Sequence, residues 1–200
     1  MHASPSGIAF VTINRPTRKN AFNAETIAEL TEAFEALHGA DHVRVVFLRG
    51  AGGTFSAGAD LDWMAAAVDW SEDDNHDDAL GLARMLKALH DIPALTVALV
   101  EGAAFGGGAG LVAACDTAIA VEGSRFSFSE VKLGLTPATI SPYVVAAIGP
   151  RASVRLFATG RVFGADEAKS LGLVEAVVAD TAGLAEAQEA FANEMMATAP

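Results

Sequence analysis

Cysteine is almost missing from this chain: Cys115 is the only one in 200 residues, so no internal disulfide can staple the fold. Its apolar neighbours suit buried packing rather than nucleophilic use. Such sparing use of cysteine fits a reducing compartment, and the expectation is the cytoplasm. Positive charge is scarce as well. Thirteen Lys and Arg stand against 25 Asp and Glu, a formal charge of −12, whereas a nucleic-acid backbone demands a basic footprint. Although 52% of the residues are hydrophobic, no apolar run approaches the roughly 18 residues that span a bilayer. Met1-His2-Ala3-Ser4-Pro5 also lacks the basic-then-apolar order of a secretory signal. Nucleic acid and membrane are therefore set aside as partners.

Several catalytic signatures are missing too. His2, His38, His42, His76 and His90 show no metal-ligand spacing with one another or with Cys115, so no metal is expected. There is no Gly-x-Ser-x-Gly nucleophile elbow around Ser56 and no Gly-x-x-x-x-Gly-Lys-Ser/Thr phosphate loop. Glu101, Asp116 and Asp62 lie near the informative motifs but read as capping or surface groups.

What is present is an alternation of strand-like and helix-like runs, which points to an α/β layer fold. The length suits one domain with a substantial core. Ile8 to Asn14 reads as a strand stopped by Arg15-Pro16. Asn23 reads as the cap of a helix from Ala24 to about His38, with Ile27, Leu30, Phe34 and Leu37 at helical spacing. Further strands are expected at 43–49, 95–100, 117–121, 125–128 and 174–178. Asp60 reads as the cap of a short helix, and 71–78 as an acidic solvated stretch entering a helix that runs to about His90. Helices are expected at 139–148, 150–159 and 165–170, and an Ala-rich one after Leu184.

Two glycine-rich stretches stand at strand-to-helix junctions: Phe55-Ser56-Ala57-Gly58-Ala59-Asp60-Leu61 and Gly102-Ala103-Ala104-Phe105-Gly106-Gly107-Gly108. Either alone is ordinary turn chemistry. Facing each other, two such junctions can grip one carbonyl oxygen with main-chain N–H groups, helped by the positive end of a helix.

With Asn14-Arg15-Pro16, Lys19-Asn20-Ala21-Phe22-Asn23, Ala114-Cys115-Asp116, Phe128-Ser129-Glu130-Val131-Lys132-Leu133-Gly134-Leu135-Thr136-Pro137, Ala165-Asp166-Glu167-Ala168 and Leu171-Gly172-Leu173-Val174, these junctions make the chain resemble the crotonase, or enoyl-CoA hydratase/isomerase, superfamily over nearly its whole length. The resemblance implies one crotonase core domain over residues 1–200, a ClpP/crotonase-like spiral of repeated ββα units. It implies an acyl-CoA thioester substrate, with coenzyme A part of that substrate and no separate cofactor. It implies a homotrimer or dimer of trimers. Family members continue into further C-terminal helices that close the site and build the trimer, and these are expected to be absent from residues 1–200.

Carried over by the resemblance, the oxyanion donors are the N–H groups of Ala59 and Gly107, and Glu130 is the catalytic acid/base. Substrate contacts are expected at Lys19, Ala57, Asp60, Leu61, Trp63, Phe105, Gly106, Leu135 and Pro137. Lys19 reads equally as a contact to the CoA phosphates or as part of a solvated turn with Arg15 and Arg18. The chain departs from the pattern in two places. The first of the family's two glutamates falls on Gly110, and a glycine-rich stretch is replaced by Ala138-Thr139-Ile140-Ser141. Branches with only the second glutamate include enoyl-CoA isomerases and bacterial methylglutaconyl-CoA hydratases, and this chain most resembles the latter. The expected activity is hydration of a branched enoyl-CoA such as 3-methylglutaconyl-CoA. A short-chain hydratase, an isomerase and a CoA-binding pseudoenzyme are the alternatives.

Overall fold

Leu95–Val100 is apolar at nearly every position, the pattern of a strand covered on both faces. In the computed structural model, which describes residues 1–4 and 6–198, it lies inside a six-stranded sheet between two parallel neighbours. The strands in chain order are β1 (His2–Ala3), β2 (Ile8–Ile13), β3 (Val45–Gly50), β4 (Leu95–Val100), β5 (Ala103–Phe105), β6 (Thr117–Val121), β7 (Arg125–Ser127), β8 (Phe163–Gly164) and β9 (Ala176–Val178). The large sheet runs β1-β2-β3-β4-β6-β9, parallel except for β1 against β2. The small sheet runs β5-β7-β8.

Alternation along the strands sorts the core into two layers. Val46, Leu48, Ala98 and Val100 pack with Leu30 and Phe34 of α1 (Ala24–His38), Met85, Leu86 and Leu89 of α3 (Glu72–His90) and Leu111 of α4 (Gly107–Ala114). Val45, Phe47, Val97, Leu99 and Ile119 point the other way, onto Leu184 and Ala192 of α7 (Thr181–Ala197). Each fully buried Leu or Phe contributes about 1.5–3 kcal/mol by leaving water. The chain moves from the large sheet to the small one and then into a helix, as β4-β5-α4. It repeats this as β6-β7 followed by a single 3₁₀ turn and α5 (Ser141–Thr159). These are turns of the expected ββα spiral. The α2 (Leu61–Ala66) and α6 (Ala165–Leu171) helices complete the set.

Some boundaries differ from expectation for physical reasons. The acidic stretch 71–78 is helical from Glu72: the Asp74 N–H donates to Ser71 Oγ at 3.1 Å, and the first-turn carboxylates suit the positive helix end. The helices expected at 139–148 and 150–159 are found as two, meeting within Ser141–Thr159 at a kink where Gly149 takes a φ of 77°. The last helix starts at Thr181 because Asp180 caps it, accepting from the Gly183 N–H at 2.9 Å. Strands β1, β5 and β8 are too short to show a periodicity. The Asn23 cap is as expected, accepting from the Thr26 N–H at 3.0 Å. Among the described residues no helix is long and apolar enough to cross a membrane.

Candidate active site

The loop between β3 and α2 is fastened to the loop after β2 by one buried side chain. Asn20 donates to the carbonyls of Ala51 (2.8 Å) and Thr54 (2.6 Å) and accepts from the Arg15 N–H (2.9 Å). These bonds hold Lys19 and Asn20 in left-handed backbone conformations, φ 51° and 55°, which non-glycine residues rarely adopt. Ser56 Oγ then donates to the Asn20 carbonyl at 2.8 Å and accepts from the Gly58 N–H at 3.2 Å.

This fastening fixes the peptide of Ala59. The Phe22 N–H donates to the Gly58 carbonyl and the Asp60 N–H to the Phe22 carbonyl, both at 2.7 Å. Successive peptides in extended chain point to opposite sides, so the Ala59 N–H is directed away from Phe22. Among the described residues it has no hydrogen-bond partner.

The second junction lies alongside the first. Ser56 bridges Ala104 in parallel register, with the Ser56 N–H on the Ala103 carbonyl (2.9 Å) and the Phe105 N–H on the Ser56 carbonyl (3.0 Å). Gly58, at φ 88°, comes so near that a Cβ there would lie 2.7 Å from the Phe105 carbonyl oxygen. Gly106 turns β5 into α4 with φ 49° and ψ −122°, and its N–H donates to the Ser127 carbonyl at 2.8 Å. The next N–H, of Gly107, opens the helix. It has no partner among the described residues, as befits a first helical position.

Glu130 begins the 3₁₀ turn Glu130–Leu133. Its Oε1 lies against bare Gly106, at 3.3 Å from where a Cβ would stand, and its Oε2 is buried with no hydrogen-bond partner among the described residues. Burial pushes this carboxyl above its ordinary range. A buried carboxylate therefore sits beside the residue that precedes the Gly107 donor.

Asp60 caps α2 as expected and is also paired with arginine. Its buried carboxylate takes two bonds from Arg18, at 2.7 and 3.2 Å, and an ion pair from Arg15 at 3.1 Å, and it caps α2 through the Asp62 N–H at 3.0 Å. The Arg18 guanidinium holds this carboxyl well below the usual carboxylate range, against the opposing effect of burial. Arg18 also pairs with exposed Asp62. Arg15 and Arg18 are thus engaged within the protein. Lys19 is exposed, with no ion pair among the described residues.

The other expected contacts fall around these groups. Ala57 donates its N–H to the Lys19 carbonyl at 3.0 Å. Leu61 and Leu135 are exposed, 70% and 51%, while Trp63 and Phe105 are half-buried and Pro137 is buried. Glu101 accepts from the Thr181 hydroxyl and Asp116 from Thr96, so neither competes for the acid/base role. Cys115 is buried, and burial pushes its thiol strongly upward, so it is inert.

The two departures from the family pattern touch each other. Ile140, 1% exposed, lies on the bare Cα of Gly110: a Cβ there would be 2.9 Å from Ile140 Cβ and nearer still to Cγ2. Space for a side chain at 110 is already filled. Sequence reasoning also missed Asn20 as the fastening residue, although it stands inside a quoted motif. Clefts of about 400 Å³ between α1 and α3 and about 620 Å³ beside Cys115 and Asp116 contain none of the expected site residues. The geometry of the main chain, not cavity size, marks the site.

A ββα spiral with two strand-to-helix junctions laid side by side and a buried carboxylate next to one of them defines a crotonase-class α/β protein. The chain belongs to the enoyl-CoA hydratase/isomerase family, whose model matches residues 3–200. It is 38% identical over 193 residues to a Thermus thermophilus protein assigned as an enoyl-CoA hydratase, covering 96% of this chain and 76% of the relative. An Alternaria alternata enoyl-CoA hydratase is 31% identical over 98% of this chain and 63% of its own length. The solved structure of a Legionella pneumophila protein assigned as an enoyl-CoA hydratase/isomerase (crotonase) superposes with a TM-score of 0.91 at 45% identity. That match covers 94% of this chain and 73% of the other. The relatives named here are hydratases, members of a lyase family.

Proposed function

We propose that this chain is a hydro-lyase that adds water to a branched enoyl-CoA such as 3-methylglutaconyl-CoA. The observation carrying the reading is the Glu130 carboxylate beside Gly106, its Oε2 buried and unpartnered among the described residues, at the head of the helix that offers the Gly107 N–H. In the reaction the Glu130 carboxylate takes a proton from water as the water oxygen bonds to the β-carbon. The C=C electrons move onto the thioester oxygen, which the Ala59 and Gly107 N–H groups hold as an enolate. Glu130 then returns the same proton to the α-carbon. One carboxylate suffices for the proton balance. Lys19, exposed and with no ion pair among the described residues, is the group offered to the CoA phosphates, and Leu61, Trp63, Phe105 and Leu135 are offered to the apolar parts of the ligand. The resemblance supports a homotrimer, or a dimer of trimers, and the single cysteine supports a reducing compartment, the cytoplasm.

The branched substrate follows from the single carboxylate. Without a side chain at Gly110 to orient water, a tertiary β-carbon, which better carries developing positive charge, compensates. A second reading, enoyl-CoA isomerisation, draws on the same lone carboxylate, which would remove a proton from one carbon and return it to another. The test is kcat/KM across a panel of enoyl-CoA esters. The 3-methylglutaconyl thioester is expected to be hydrated faster than crotonyl-CoA. A clear preference for crotonyl-CoA points to a short-chain hydratase, double-bond migration alone points to the isomerase, and binding with no turnover of any ester points to a pseudoenzyme.

A further inference from the structure

The segment from Ser127 to Ile140 touches the first turn of α4 at two points. At one end the Ser127 carbonyl accepts the Gly106 N–H at 2.8 Å and the Glu130 carboxylate lies against Gly106. At the other end Ile140 is seated on Gly110, one turn further along the helix, whose N–H donates to the Gly106 carbonyl at 3.0 Å. Between these points the segment is braced by its own bonds: the Leu135 N–H to the Glu130 carbonyl and the Ser141 N–H to the Pro137 carbonyl, each at 3.0 Å. Pro137 and Ile140 are buried, while residues 131–136, between Glu130 and Pro137, are exposed. On its other side the segment is anchored by Phe128, which meets Phe157 and Phe163, and by Ser127 Oγ, which donates to the Gly160 carbonyl at 3.1 Å; toward α4 itself it makes the two end contacts.

We infer that Ile140 is a positioning residue: seated on the bare Cα of Gly110, it sets the spacing between the Glu130 carboxylate and the Gly107 N–H. The inference rests on the roles assigned above to Glu130 and Gly107. The β-branched methyl, Cγ2, is the atom that meets Gly110 most closely. The two positions therefore act as a knob and a hole, and neither can be changed without moving the Glu130 segment along or away from the helix. Packed interiors transmit such changes rather than absorb them.

The test is a double-mutant cycle on the full chain. Ile140→Leu keeps the volume but removes Cγ2, and Gly110→Ala drives a methyl into it. Each is expected to lower kcat roughly ten- to a hundredfold, with KM within about threefold, because misplacement of order 1 Å costs that much in rate. In the double variant the closest clash, with Cγ2, is gone while the contact with the β-carbon of residue 140 remains, so part of the lost kcat is expected to return, a non-additive result. Ile140→Val keeps Cγ2 and loses only the outer methyl, so its kcat is expected to stay near wild type even though its melting temperature falls. A purely structural role would instead make kcat per folded molecule insensitive to all four changes, or make Ile140→Val as damaging as Ile140→Leu; either outcome overturns the inference. So does a double variant whose loss equals the product of the single losses. A wild-type chain that turns over no enoyl-CoA overturns the catalytic assignment and this inference together, whereas wild-type turnover with unaffected variants overturns this inference alone.

Discussion

Glu130 holds a carboxylate oxygen with which no group among the described residues pairs, at a cost to the fold of about 1–3 kcal/mol for a buried unsatisfied acceptor. The carboxyl is shifted upward, so over a window of pH the folded chain keeps a proton that the unfolded chain has released. The sign follows: this stability is complete below the unfolded value and is lost as pH rises through the higher folded one. Glu130→Gln is accordingly expected to melt above wild type near neutral pH, with the gap shrinking on acidification, as a melting series against pH will report. The same variant is expected to lower kcat by about 10²–10⁴-fold with acyl-CoA binding nearly unchanged. Undiminished turnover would move the acid/base role to another carboxylate. Gly107→Pro removes one main-chain donor at the first helical position, where proline's backbone fits, and its Cβ, 3.1 Å from the Phe22 ring, makes a check of folding part of the test. Its kcat is expected to fall by roughly 10²–10³, the usual loss for one oxyanion donor. Near-native activity in a folded variant would remove Gly107 from the site.

At the scale of elements, the site depends on two loops fastened to each other rather than on any long helix or strand. Asn20 and Ser56 tie the loop after β2 to the loop after β3, and Asp60 ties α2 to Arg15 and Arg18. Asp60 is held ionised by Arg18, so its contribution to stability is present above its unfolded pKa and is lost as pH falls through the depressed folded value. Asp60→Asn is expected to lower the melting temperature at neutral pH and to make the fold less sensitive to acid. Equal melting temperatures for variant and wild type at neutral pH would show that the clamp contributes nothing. These fastenings join residues distant in sequence, which is why local patterns read Asp60 only as the cap of α2 and did not show its pairing with Arg15 and Arg18.

For the whole molecule, the charge of −12 repels an anionic CoA ester, so the proposed binding relies on local groups, Lys19 and the main-chain donors. The six-stranded sheet is covered by α1, α3 and α4 on one face and by α7 on the other, which leaves the two junctions at one place on the rim of the spiral. The chain spans 63–76% of the curated relatives compared here, and assembly is the property most exposed to that difference. Sedimentation equilibrium of the 200-residue chain is expected to give a trimer or a dimer of trimers. A stable monomer at micromolar concentration would place the assembly contacts outside these residues.

By itself the sequence determined the longer elements: helical spacing and the Asn23 cap set α1, and apolar runs set β3, β4 and β6. These depend on periodicity and local turn chemistry, which act between near neighbours. Ala59, Gly107 and Glu130 were named as candidate reacting groups by the family resemblance of the short motifs around them. Only the tertiary structure decided how the groups are held. It paired Arg18 with Asp60, fastened two loops through Asn20, and seated Ile140 on Gly110. Such contacts join positions 30 or more apart in the chain, as between Gly110 and Ile140. They depend on which surfaces folding presses together, and no local pattern encodes that distance.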